Sequence, residues 1–147
     1  MADSLPHWDM SVVYPGLDSP EFEAAFEDAI LEIDRLVEMF DEERIGLDTG
    51  RVTDDKTVAV FEKVIAQLNS TFRKESGVVA YIHGFIATDS TNETAQAKGS
   101  ELSQHWVKVK MLDARLTAWL GSLDVDTLVQ KSDVAAGHEF VLRRAKI

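Results

Sequence analysis

Apolar residues early in the chain return every third or fourth position. Phe22, Phe26, Ala29, Ile33, Leu36 and Phe40 draw one stripe along a helix, while Glu23, Glu27, Asp28, Glu32, Asp34, Arg35 and Glu38 fill the remaining faces. This pattern predicts a bundle helix with one buried and one solvated side. Ser19 marks its start, because its hydroxyl can accept from the first free amides. Pro20 suits the first helical position, and Glu21 and Glu23 complement the positive end of the dipole. Residues 41–55 carry Gly46, Gly50 and several acidic side chains without periodicity and are expected to form a loop.

A second stripe, Val58, Phe61, Ile65, Leu68 and Phe72, follows a cap at Thr53 or Asp54, and Gly77 is where this helix is expected to bend or break. The β-branched run 78–86 has the composition of a buried strand. It lies between helical patterns and has no partner strand, so continued helix is predicted. A third helix starts near Asn92, places Ala95, Leu102, Trp106, Val109, Leu112, Leu116 and Leu120 on one side, and is expected to end at a Gly121 cap. Asp124 opens a short helix to Lys131, Ser132 or Asp133 caps a further turn, and Gly137 precedes an interrupted end at 140–144. The fold class that follows is all-α: an antiparallel helical bundle of four or more helices. Residues 1–18 form an extended N-terminal hook and 19–147 the helical domain. No internal repeat supports a solenoid.

Composition narrows the possible partners. A formal charge of −11 argues against the phosphate backbone of a nucleic acid and against an anionic membrane surface. With no cysteine, the chain has no disulfide, thiol nucleophile or thiolate ligand, which fits the cytoplasm. The first residues lack the basic start and apolar run of a secretory signal. The most apolar stretch, 78–87, contains His83 and falls short of the ~20 residues that a membrane helix needs.

The chemistry of a site is hard to find. His7, His83, His105 and His138 include no pair spaced by one helical turn. Stretch 48–55 is rich in oxygen ligands but lacks the alternation, central glycine and closing glutamate of a calcium loop, so a solvated connection is expected. The oxygens of Asp89, Ser90, Thr91, Asn92 and Glu93 are explained by a turn and a cap. Asp54-Asp55 and Glu42-Glu43 are carboxylate pairs without an evident pocket, and neither a Gly-x-Ser-x-Gly elbow nor a phosphate-binding glycine loop is present. Trp8, Tyr14, Tyr81, Trp106 and Trp119 could form a binding platform, but core packing is the expectation for Trp106 and Trp119. No catalytic, cofactor-binding or metal-binding residue is assigned.

Two segments carry a family resemblance. The first, Trp8-Asp9-Met10-Ser11-Val12-Val13-Tyr14-Pro15-Gly16-Leu17-Asp18-Ser19-Pro20-Glu21-Phe22, joins an aromatic hook, a Pro-Gly turn and a helix start. The second runs from Tyr81 to Gln96, with Asp89, Thr91, Ala95 and Gln96 in a turn between helices, and Asn92-Glu93 where Asp-Pro is frequent. In this order, and continuing through Trp119 to Asp124, they resemble the N-terminal domain of the oligoendopeptidase F branch of the M3 zinc metallopeptidases. The resemblance implies a mostly helical enzyme that cleaves short peptides internally. It would use one zinc ion and a glutamate-polarised water, and its N-terminal helices would wall a deep channel.

Such an enzyme needs His-Glu-x-x-His on a helix. Here the only His-Glu pair is His138-Glu139, and Leu142 stands where the second histidine belongs. The resemblance therefore implies an N-terminal scaffold lobe, inactive alone, with zinc only in the full-length parent. The catalytic domain of the same polypeptide would be its partner, and short peptides the parent's substrates. The third helix and the Phe140-Val141-Leu142 end would then expose an apolar face prone to self-association. The alternative is a stand-alone helical module that binds a protein or peptide without catalysis; a free-standing enzyme with a carboxylate–histidine site ranks behind both.

Overall fold

The computed structural model describes residues 9–47 and 52–145, and among them there is no strand. Six helices follow in order: α1 (Pro20–Glu42), α2 (Asp55–Thr88), α3 (Glu93–Ser122), α4 (Val125–Lys131), α5 (Asp133–Gly137) and α6 (Glu139–Arg144). The fold is an all-α helical bundle. The first three helices pack against one another, and the last three form a small cluster against the start of α2.

Side-chain caps set the starts. Ser19 Oγ accepts from the Phe22 amide at 3.2 Å, Asp54 from Thr57 at 2.8 Å and Asn92 from Ala95 at 2.9 Å. Asp124 and Ser132 do the same for α4 and α5. Each such cap is worth about 1 kcal/mol. Charge pairs then fix the directions. Lys98–Glu23, Lys108–Asp34 and Arg115–Asp41 climb α3 and α1 together, so these helices run parallel. Lys63–Glu43 and Lys74–Glu32 run in opposite senses, so α2 is antiparallel to α1. Arg115 also donates to the carbonyls of Phe40 at 2.8 Å and Ile45 at 2.9 Å. It thereby supplies from α3 the cation that the last turn of α1 lacks.

Three expectations about boundaries are corrected. Helix α1 continues through Glu42, past the expected start of the loop. Helix α2 passes through Gly77 unbroken: Val78, Tyr81 and Ile82 just beyond it are almost fully buried, and their packing outweighs the ~1 kcal/mol that glycine costs a helix. Gly121 is not the cap of α3. The helix ends at Ser122, with Leu123 as its cap in an extended conformation and its side chain turned into the core, and a β-carbon at Gly121 would lie 3.3 Å from the Ala145 carbonyl. The loop after α1 needs its glycine for both reasons, since Gly46 has φ 71° and a β-carbon there would collide with the Arg115 backbone.

Residues 9–18 approach α1 through turns, one closed by Val13 N–H donating to the Met10 carbonyl. The Tyr14 ring stands edge-on to Phe22 and Tyr81, and the Tyr81 hydroxyl donates to the Tyr14 carbonyl at 2.9 Å. The hook is thus tied to α1 and α2 at once. Trp8 lies outside the described residues.

Candidate docking groove between the second and third helices

Helix α1 covers one side of the α2–α3 pair and leaves the other side open. Leu68 and Phe72 on α2 face Trp106, Leu112 and Leu116 on α3 across a cavity of about 490 Å³, with Phe40 at its floor. A second cavity of about 230 Å³ lies between Glu75, Val79 and His83 on one wall and Leu102 and Ser103 on the other. Both are lined by Trp106 and Lys110, so they form one groove along the seam. Phe72 stands edge-on to Trp106, with ring centroids 5.4 Å apart, and is 45% exposed. On the outside of α3, Val107 and Met111 are 52% and 70% exposed and line neither cavity.

The sequence of α3 explains this surface. Between Trp106 and Leu120 its apolar residues fall on more faces than α1 and α2 can cover. A helix apolar on most sides is suited to burial on most sides. Phe72 was expected within a buried stripe and is instead half open. Trp106, expected in the core, is the aromatic wall of the groove. Trp119 does lie in the core, at 1% exposure beside Phe61. No residue outside the predicted stripes signals the groove, since its α3 wall, Trp106, Leu112 and Leu116, lies on the stripe itself.

Polar groups rim the groove. Lys110 and Asp113, one turn apart at its rim, form no hydrogen bond or ion pair among the described residues. Burial pushes the Glu75 carboxyl above its ordinary value, against the opposing pull of Ser76 and His83.

The other concentration of charge is already saturated. Glu32, 4% exposed, accepts from Arg35 at 2.8 Å and Lys74 at 3.1 Å through one oxygen, and from Gln67 at 2.7 Å and Ser70 at 3.1 Å through the other. Burial alone would raise its pKa, but Lys74, Gln67, Arg35 and Ser70 together outweigh that and hold it at about 2. A carboxylate so tightly held and so fully bonded is a poor proton acceptor. It clamps α1 to α2.

The remaining candidates disperse. His83 is on α2, His105 on α3 and His138 between α5 and α6, and no group of three His, Cys, Asp or Glu among the described residues could hold a metal. His7 and positions 48–51 lie outside the described residues. Asp54 caps α2, Asp55 pairs with Lys131, and Asp89 and Asn92 form the expected turn and cap. Leu142 is buried, while Phe140 and Val141 are exposed at 76% and 58%. No described helix is long and apolar enough to cross a membrane. Compared with known proteins, no family model matches the sequence, no curated protein matches it and no solved structure matches it.

Proposed function

We propose that the chain is the N-terminal scaffold lobe of an oligoendopeptidase F-like zinc metalloendopeptidase, and that the α2–α3 groove is where the rest of the enzyme seats. The groove carries this reading, because an apolar seam with aromatic walls is better suited to burial against a partner than to water. The ordered resemblance of segments 8–22 and 81–96 supplies the family. The sequence contains no His-Glu-x-x-His, so in this reading the metal and the water-polarising glutamate would come from outside this chain. Its own part would be to shape and close a channel that admits short peptides. A chain without cysteine suits the reducing cytoplasm.

The test is to express the longest reading frame that contains this sequence and to assay cleavage of an internally quenched short peptide. The expected result is a frame encoding a His-Glu-x-x-His helix, with activity lost to a chelator and restored by zinc, while the 147-residue chain is inert. A frame without that motif overturns the reading. A second reading, a non-catalytic module that receives an amphipathic helix in the same groove, is favoured by its apolar and aromatic lining between two helices.

A further inference from the structure

We propose that the smaller cavity between α2 and α3 binds a small zwitterion, a free apolar α-amino acid, with its ammonium at Glu75 and its carboxylate at Lys110. The two side chains line this one cavity from opposite helices and form no ion pair with each other. A ligand that carries both charges on neighbouring atoms can bridge them. Ser103 lines the same α3 wall without a hydrogen bond to another described residue, so its hydroxyl is available to donate to the carboxylate.

The remaining lining selects the side chain of the ligand. Val79 and Leu102 supply apolar walls from the two helices, and the Trp106 ring closes the end toward the larger cavity. Gly99 lines the cavity with backbone alone, which leaves room beside Leu102. A volume of about 230 Å³ holds roughly eight waters at ~30 Å³ each, the size of one branched amino acid and not of a cofactor. An apolar lining with a few polar groups that fix orientation is the usual make-up of a small-molecule site.

Charge makes the site selective. Burial disfavours the ionised form of Glu75, with Ser76 and His83 opposing it, and an ammonium placed against the carboxylate would favour that form further. An acid without the ammonium would be repelled by Glu75, and an amine without the carboxylate by Lys110. The zwitterion alone satisfies both. This site goes beyond the seat proposed above, which needs the larger cavity. Along α3 that cavity is lined from Val109 to Leu116, whereas the smaller one is lined by Gly99, Leu102 and Ser103, with Trp106 between the two. A ligand of this size lies beneath a segment seated on the groove and does not take its place.

The experiment is a nitrogen–proton NMR titration of the 147-residue chain with L-leucine and with its two halves, isoamylamine and 4-methylpentanoate. Leucine should give saturable shifts at the Gly99 amide and the Trp106 indole N–H, with a Kd of about 1 mM, as expected for so small a ligand. The amine and the acid should each bind at least about tenfold more weakly. Glu75→Gln should weaken leucine about tenfold without weakening 4-methylpentanoate, and Lys110→Gln should weaken leucine about tenfold without weakening isoamylamine. Circular dichroism checks that both variants keep their helices. No saturable shift at Gly99 or Trp106 up to about 50 mM leucine overturns the proposal. Equal affinity for the three ligands, or leucine binding untouched by either substitution, overturns it as well. None of these shifts depends on whether a longer frame encodes a peptidase, so the two proposals fail separately.

Discussion

Helix α2 faces two different environments. Toward α1, the buried carboxylate of Glu32 has four side-chain donors, and Thr71 Oγ1 adds bonds to the carbonyls of Gln67 at 2.9 Å and Glu32 at 3.3 Å. Away from α1, Phe72 is half open, Glu75 is partly desolvated against the smaller opposing pull of Ser76 and His83, and Lys110 and Asp113 across the groove are exposed without a partner among the described residues. The α1–α2 seam is finished within the chain, whereas the groove leaves apolar area open to solvent. The first region holds the chain together, and the second is the apolar surface that it leaves open.

Truncating one aromatic on each side sharpens the contrast most. Phe26 is 2% exposed on α1 with the Lys98 ammonium 4.4 Å from its ring centre, and Phe26→Ala should destabilise by about 3–5 kcal/mol. Phe72→Ala, at 45% exposure, should cost less than about 1 kcal/mol. Urea unfolding at dilute protein concentration measures both, and equal losses would erase the distinction.

Acid probes the clamp next. The folded pKa of Glu32 is depressed from 4.5 to about 2, so its contribution is complete above the unfolded value and is lost as pH falls through that window. The size is roughly 3 kcal/mol. Urea unfolding of wild type and Glu32→Gln from neutral pH downward should show a gap that closes between about pH 4.5 and 2. A gap independent of pH would assign the clamp to packing alone.

The smallest effect has the opposite sign. Because burial raises the Glu75 pKa, its ionised form costs the folded state stability above the folded pKa, and that cost vanishes below the unfolded value. Glu75→Gln should stabilise the monomer by a fraction of a kcal/mol at neutral pH, moderated by solvent, and by nothing in acid. A destabilised variant would mean that His83 compensates the carboxylate fully.

Much of the bundle was legible because its signals are local. Ser19, Asp54, Asn92, Asp124 and Ser132 each act within a turn of the chain, and the α1 stripe from Phe22 to Phe40 needs only the helical period. Glycine was the less legible residue. Gly77 and Gly121 invited a break and a cap, but neighbours distant in sequence overruled both. Phe72 and Trp106 sit on periodic stripes and still border the groove, because periodicity gives the direction of a side chain and not what stands opposite it.

The sequence by itself determined the all-α class, the helix starts and the solvated, acidic character of α1, since propensity, capping and amphipathic period are properties of neighbouring residues. Only the tertiary structure decided that α1 closes one side of the α2–α3 pair and leaves the other open. It also decided that Glu32 becomes a saturated clamp and that Lys110 and Asp113 stay unmatched among the described residues. These are facts about which surfaces meet, and burial and electrostatics depend on distances between residues that the linear order does not contain.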